Sequence, residues 1–196
     1  MCFFTKPFFL IFFIAAFVAS ASAVEKIEDF LGLKFGTNHA TAKEAMLARG
    51  SKLKDDKSLD QWTFTGGTYA GEKITELTLH FTADHFDRAE VTLKYSVDKS
   101  NDKGLAMFDA LRASLTEKFG PPASAAAVGH GKNSIEKAKA TQLETIWQNK
   151  DALSGEHRSV TLRVPGIGMY DWSFQIIYQD HKGTGKSTGP APRKDI

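Results

Sequence analysis

Apolar residues between positions 104 and 122 recur at steps of three and four, which is the spacing of one face of an α-helix. The positions on that face are Leu105, Phe108, Leu111, Leu115 and Phe119. Ser100 or Asn101 can cap the start, and Gly120 followed by two prolines is a typical helix end. We therefore predict one amphipathic helix here, with its apolar face buried against a sheet.

A shorter helix is predicted over residues 41–49. Thr41 and Glu44 have the spacing of a capping box, in which each side chain bonds to a backbone donor of the first turn. Ala42 and Met46 share one face, and Gly50 is typical of the position just past a helix end.

Other segments alternate between apolar and polar residues, which is typical of β-strands with one buried side and one solvated side. In the first half of the chain the apolar positions are Trp62 and Phe64, then Leu77, Leu79 and Phe81, then Val91, Leu93 and Tyr95. In the second half they are Trp147 within residues 143–149, then Val160, Leu162 and Val164, then Trp172, Phe174, Ile176 and Tyr178. Ile177 departs from this alternation, because it is apolar on the polar side.

Both halves of the chain have the same order of elements, a helix followed by three strands, and the first strand of each triplet carries a tryptophan. We predict an α+β fold of two helix-plus-three-strand halves, residues 24–98 and 99–180, with the helices packed on one face of one or two antiparallel sheets. The alternative is that the two halves merely contain similar sheets with the same apolar–polar alternation and are not copies of one repeated unit. Residues 123–142 are predicted to be a loop and residues 181–196 a disordered tail, because both are poor in large apolar residues.

Residues 1–23 have the features of an export signal. Lys6 precedes an apolar run, and Ala21-Ser22-Ala23 has the small residues of a cleavage site. The run is shorter than the ~20 residues that a spanning helix needs. We therefore predict cleavage after Ala23, a periplasmic or secreted location, and no stable membrane anchor afterwards. The one cysteine, Cys2, lies within this segment, so we expect neither disulfides nor thiol chemistry in the rest of the chain.

The net charge of the chain indicates which classes of macromolecule it is suited to bind. Lys6 is one of 25 basic residues and all 23 acidic residues lie beyond residue 23, so the rest of the chain has a formal charge of +1. A nucleic-acid-binding surface requires clustered basic residues, which this balance disfavours. We therefore predict that nucleic acid is not a partner.

Four residues with metal-binding side chains lie at the end of one predicted strand and in the turn after it, namely His80, Asp84, His85 and Asp87. They are zinc or copper ligands by type. Their spacing matches no standard metal site, and Asp and His are ordinary turn residues. We therefore predict no metal and no cofactor, with these four as the candidates to check.

No catalytic motif is found along the chain. His39, His130 and His157 are scattered in polar segments, and a Gly-x-Ser-x-Gly elbow is missing. Residues 183–187 look like the end of a phosphate-binding loop, but Asp180 stands where that pattern requires glycine. We therefore predict no catalytic residues, and a hydrolase is kept only as an alternative.

Three residues are candidates for contact with a partner protein. Tyr69 lies beside Gly66-Gly67 in a predicted turn, and aromatic side chains often anchor interfaces. His80 and Lys94 lie on the polar sides of two predicted strands. Trp62 and Trp172 are predicted to belong to the core instead, because they lie on the apolar sides of their strands.

Part of the first half resembles small modules of the bacterial envelope. The matching segments are Gly36-Thr37, Thr41–Ala45, Leu47, Arg49-Gly50, Trp62-x-Phe64 and Leu77–Phe81. They resemble the small lipoprotein of the outer-membrane β-barrel assembly machinery, and β-lactamase-inhibitor proteins are similar in general plan. The chain departs from this family in having no lipidation cysteine and a much longer second helix. The resemblance implies a periplasmic protein-binding module in which helices pack on an antiparallel sheet.

The function predicted from the sequence is therefore an exported, soluble protein-binding or scaffolding module without catalytic activity. Its expected partner is another envelope protein, bound through the polar sheet face or an exposed edge strand. The main alternative is a carrier that holds a small ligand in a closed apolar cavity of a few hundred Å³ between helix and sheet.

Overall fold

The computed structural model describes residues 24–96, 102–125, 143–150, 157–167 and 171–181. The predicted loop at 123–142 lies mostly outside these ranges, and the predicted tail does so apart from His181. The first half contains β1 (Asp29–Phe30), β2 (Leu33–Lys34), α1 (His39–Ala48), β3 (Lys52–Ser58), β4 (Gln61–Thr65), β5 (Thr68–Tyr69), β6 (Glu72–Lys73), β7 (Glu76–Thr82) and β8 (His85–Ser96). The second half contains α2 (Asp102–Phe119), β9 (Ser124–Ala125), β10 (Glu144–Lys150), β11 (His157–Ile167) and β12 (Asp171–Asp180).

The alternating segments form one antiparallel sheet of eight strands in the order β3-β4-β7-β8-β12-β11-β10-β9. The two halves meet where β8 pairs with β12, with Val91 opposite Ile176 and Leu93 opposite Phe174. Apolar residues therefore lie opposite apolar residues across the junction, which keeps one face of the sheet continuous. The α+β class is confirmed.

Helix α2 has the buried face that the sequence predicts. Its apolar stripe is buried, and Gly120 follows the helix with a φ of +77°. A Cβ at Gly104 would lie only 2.4 Å from the Trp172 ring, so glycine lets the helix backbone rest directly on that ring. At the other end, Trp147 Nε1 donates to the Gly120 carbonyl at 3.1 Å. The helix is thus held to β12 and β10 at its two ends.

The start of α1 differs from the prediction. Asn38 caps the helix, and its side chain accepts a hydrogen bond from the backbone N–H of Thr41 at 3.0 Å. The predicted Thr41 cap is therefore wrong, because Asn38 provides an equivalent oxygen three residues earlier. The predicted end is confirmed, since Gly50 follows the helix with a φ of +79°.

Helices α1 and α2 and the hairpins β1–β2 and β5–β6 contact the same face of the sheet. Four contacts establish this: His39 of α1 stacks on Phe81, Gly104 of α2 abuts Trp172, and Phe30 of β1 and Tyr69 of β5 both contact Tyr178. Phe81, Trp172 and Tyr178 belong to the buried core. We call this side of the sheet the covered face. Within the described ranges, no helix is long and apolar enough to cross a membrane.

Candidate functional site

The opposite side of the sheet is polar, and we call it the open face. Its side chains alternate with the buried residues along each strand and include Thr63, Thr78, His80, Arg88, Glu90, Thr92, Lys94, Thr161, Arg163, Ser173, Gln175 and Gln179. The alternation predicted from the sequence is the cause, because residues two apart on a strand point to the same side. The open face is therefore a hydrogen-bonding surface built on paired strands.

A polar network crosses the middle of the open face and has Glu90 at its centre. Gln175 Nε2 donates to Glu90 Oε2 at 2.7 Å, and Arg163 Nε donates to Gln175 Oε1 at 2.7 Å. On the other side, His80 Nε2 lies 3.2 Å from Glu90 Oε1, and the Arg88 guanidinium pairs with the same oxygen. The network thus connects side chains from β7, β8, β12 and β11 and fixes their orientation.

These neighbours lower the pKa of the Glu90 carboxyl below its usual value. The close contact with His80 is the largest cause, and the charges of Arg88 and Arg163 act in the same direction, whereas partial burial opposes them. Glu90 therefore stays ionised and holds its partners at neutral pH.

Ile177 lies on the open face between the central strands. It is opposite Glu90 on β8 and Thr161 on β11 and is only 7% exposed. The sequence places it on the polar side, and this is confirmed. Because long polar side chains surround it, Ile177 forms an apolar floor below the network rather than an exposed patch.

A second polar cluster lies where β11 begins and β12 ends. The His157 and His181 rings stack at 4.5 Å, and Ser159 Oγ lies 2.9 Å from His181 Nε2. Burial, followed by the nearby His157, lowers the pKa of His181. A serine beside a histidine is the first requirement of a nucleophilic site. Ser159 is only 7% exposed, however, which leaves little access for a substrate carbonyl.

The edge of the sheet at β3 is protected against pairing with another strand. This strand has the sequence KLKDDKS, and its pairing with β4 is interrupted by two irregularities in register. Charged side chains and bulges are the usual means of blocking strand addition. Strand addition, one of the two binding modes expected from the sequence, is therefore disfavoured at this edge.

His39, one of the histidines scattered in polar segments, joins α1 to the turn between β7 and β8. Its Nδ1 contacts the Asp84 carboxylate and its Nε2 contacts the Leu59 carbonyl, and both partners can only accept hydrogen bonds. Both ring nitrogens are therefore engaged by contacts within the chain. The His39 contact is the largest cause that lowers the pKa of Asp84. With both nitrogens occupied, His39 has no free position to act as a base.

The four metal-candidate residues are directed to separate partners. His80 contacts Glu90, Asp84 contacts His39, His85 Nδ1 lies 3.0 Å from the Gly36 carbonyl, and Asp87 accepts from Thr82. In the described ranges, no group of three or more His, Cys, Asp or Glu side chains is arranged to hold a metal ion.

The three partner-binding candidates have different environments. His80 and Lys94 lie on the open face, where His80 belongs to the network and Lys94 is exposed. The expected surface position of Tyr69 is wrong, because its ring is 6% exposed and its hydroxyl lies 2.8 Å from that of Tyr178. The hairpin formed by β5 and β6 turns Tyr69 into the core, which a reading of local turn residues could not predict.

The pockets that described residues form on the covered side of the molecule include one beside each of α1 and α2. One of about 180 Å³ includes Arg49 and Ser51, and one of about 60 Å³ includes Lys73 and Met107. Neither is the closed apolar cavity of a few hundred Å³ that a ligand carrier would require. Comparison of the chain with protein-family models, with curated proteins and with solved structures finds no match.

Proposed function

We propose that this chain is a protein-binding or scaffolding module of the bacterial envelope, without catalytic activity, and that its partner docks on the open face. The observation that carries the proposal is the one-sided construction of the sheet. In the part of the chain that the structure describes, the helices and the small hairpins cover one face, while the other presents a preformed polar network across four strands. Side chains that are already oriented lose little conformational freedom when a partner binds.

The size of the open face is suitable for a specific interface. The six strands from β4 to β10 are spaced by about 4.8 Å and contain between 5 and 12 residues each, and a common length of about seven residues gives a surface of roughly 600 Å². A standard interface buries about 800 Å² on each partner. The open face can therefore supply most of such an interface, with the remainder coming from its borders.

Lys94 indicates the chemistry of the partner. Its exposed ammonium makes no ion pair with any residue that the structure describes, whereas Glu90 is held by His80 and Arg88. An acidic residue opposite Lys94 would gain a new ion pair, and the Glu90 network would remain intact. We therefore propose a polar partner surface with a carboxylate that faces Lys94.

The proposal includes export and the arrangement of the chain. Residues 1–23 would direct the chain to the periplasm or outside the cell and be removed after Ala23. The halves 24–98 and 99–180 would be two versions of one helix-plus-three-strand unit. The resemblance of residues 35–95 to modules of the bacterial envelope supports the export part of this proposal, and the shared order of a helix followed by strands supports the repeat.

Crosslinking at chosen positions tests this proposal. A photoreactive residue at Thr92 or Ser173 on the open face should capture the same envelope protein in cells, whereas one at the exposed Glu44 on α1 should not. Equal capture at Glu44, or no adduct at either open-face position, would reject the open face as the docking site.

A further inference from the structure

We propose that a pocket beside the end of α1 binds a carboxylate group. The pocket lies between α1, the turn joining β1 to β2, and the glycines that precede β5, and it has a volume of about 180 Å³. Its apolar wall consists of Leu31, Met46 and Ile74, and its polar groups come from Arg49, Ser51 and Thr68. It is on the covered side of the sheet, so it is separate from the open face and does not depend on the function proposed for that face.

The polar groups of this Arg49 pocket have no ligand from the chain itself. Arg49 makes no ion pair, and its side chain makes no hydrogen bond, to any residue in the described ranges. Ser51 is only 5% exposed, and its hydroxyl likewise has no hydrogen-bond partner there. A largely enclosed hydroxyl beside an unpaired guanidinium is an arrangement that lacks an acceptor.

Two glycines keep the pocket open. Gly67 has a φ of +78°, and a Cβ there would lie 3.1 Å from Ser51 Oγ. A Cβ at Gly32 would lie 3.4 Å from Arg49 Nη2. Larger residues at these positions would therefore occupy the space in front of both donors. The one nearby carboxylate of the same hairpin, Asp29, accepts from the Gly32 N–H at 2.8 Å and is already engaged.

The shape and chemistry favour a carboxylate attached to a short apolar group. The planar guanidinium of Arg49 can bond both carboxylate oxygens, and the Ser51 hydroxyl can donate to one of them. The apolar group would then contact Met46 and Ile74. This chemistry is shared by a free short-chain acid and by the C-terminus of a polypeptide, so the experiment must distinguish the two.

The test is an NMR titration of the ¹⁵N-labelled chain at constant ionic strength. The probes are butyrate, an acetylated dipeptide that ends in alanine, the same dipeptide as its amide, and inorganic phosphate. We expect saturable shifts at Ser51, Gly67 and Thr68 with the two carboxylates and none with the amide. Tighter binding of the dipeptide acid than of butyrate would identify a chain terminus as the source, and the opposite order would identify a small acid.

Variants connect those shifts to the pocket. Arg49→Gln should weaken carboxylate binding by about tenfold or more, because it removes the charge-assisted hydrogen bonds. Arg49→Lys should weaken it less, since the charge remains but the planar pair of donors is lost. Lys43→Gln, on the same helix, should leave binding unchanged.

Three results would overturn the proposal. They are that neither carboxylate gives saturable shifts, that Arg49→Gln binds the carboxylates as tightly as the parent, or that phosphate binds more tightly than butyrate. Arg49 is exposed, so its variants should fold, which circular dichroism can verify.

Discussion

The two faces of the sheet are built from the same strands but differ in burial and polarity. On the covered face, Phe174, Ile176 and Tyr178 of β12 are buried under helices and hairpins. On the open face, Ser173 and Gln175 of the same strand are hydrogen-bonding groups at the surface. Stability therefore depends mainly on the covered face, and the open face is the one that we propose for binding. The predictions below test that division, in order of expected effect.

The largest difference is expected between adjacent residues of β12. Phe174→Ala should lower the free energy of unfolding by about 3–5 kcal/mol, because it removes a fully buried ring and leaves a cavity. Ser173→Ala, on the open face, should change it by less than about 0.5 kcal/mol. Urea denaturation of both variants measures the two values. Similar decreases in the free energy of unfolding for the two variants would show that the covered face does not contribute more to stability than the open face.

The contact between α2 and the sheet should reverse the sign of the stability change that a glycine-to-alanine substitution normally causes in a helix. Replacing glycine by alanine within a helix normally stabilises it by up to about 1 kcal/mol. Gly104→Ala should instead destabilise the protein by about 1–3 kcal/mol, since the new Cβ would overlap the Trp172 ring. Ala106→Gly, at an exposed position of the same helix, is the matched control and should show only the propensity loss. A gain in melting temperature for Gly104→Ala would contradict the close contact.

The buried tyrosine pair allows a smaller effect to be measured. Tyr69→Phe should cost about 1–2 kcal/mol, because it leaves the buried Tyr178 hydroxyl without its partner. The double variant with Tyr178→Phe should recover part of that loss.

Burial also raises the pKa of Tyr69 to about 12. Since the folded state then holds the phenol proton more tightly than the unfolded state, stability should fall as the pH rises from about 10 towards 12. Ultraviolet absorbance titration of the wild type and the variant isolates the Tyr69 contribution.

The open-face network should contribute least to stability and should be sensitive to acid. The pKa of Glu90 is lowered in the folded state, so its stabilising contribution is present above about pH 4.5 and is lost as the pH falls below that value. Glu90→Gln should cost under about 1 kcal/mol at neutral pH, because the network is partly solvated. Its free energy of unfolding should also depend less on pH between about 3 and 5 than that of the parent. An unchanged acid profile would mean that Glu90 is not the group responsible.

Patterns within single elements were enough to predict most of the sheet and the long helix. Leu77, Leu79 and Phe81 mark β7 by alternation alone, and Leu105 to Phe119 mark α2 by helical spacing. The period is visible because each element has one buried side. The same property predicts the open face, including His80, Lys94 and the position of Ile177.

What the sequence did not predict depends on tertiary contacts. Strand β3 was missed because KLKDDKS is charged on both sides, as suits a protected edge. The turn residues beside Tyr69 predict a surface position. Its burial depends on the β5–β6 hairpin, which turns the side chain inwards and which no local pattern predicts. His39 is brought to Asp84 from 45 positions away, and no local pattern signals that contact. The Arg49 pocket likewise combines residues from separate elements.

The most direct test of the open face as a docking surface compares two lysines. Lys94 is on the open face, and Lys43 is on α1 on the covered side. Their rates of acetylation by a small reagent can be measured by mass spectrometry with and without periplasmic extract. We predict that the extract slows modification of Lys94 and leaves Lys43 unchanged. Equal rates at Lys94 with and without the extract, or protection of Lys43 instead, would contradict the proposal that partners dock on the open face.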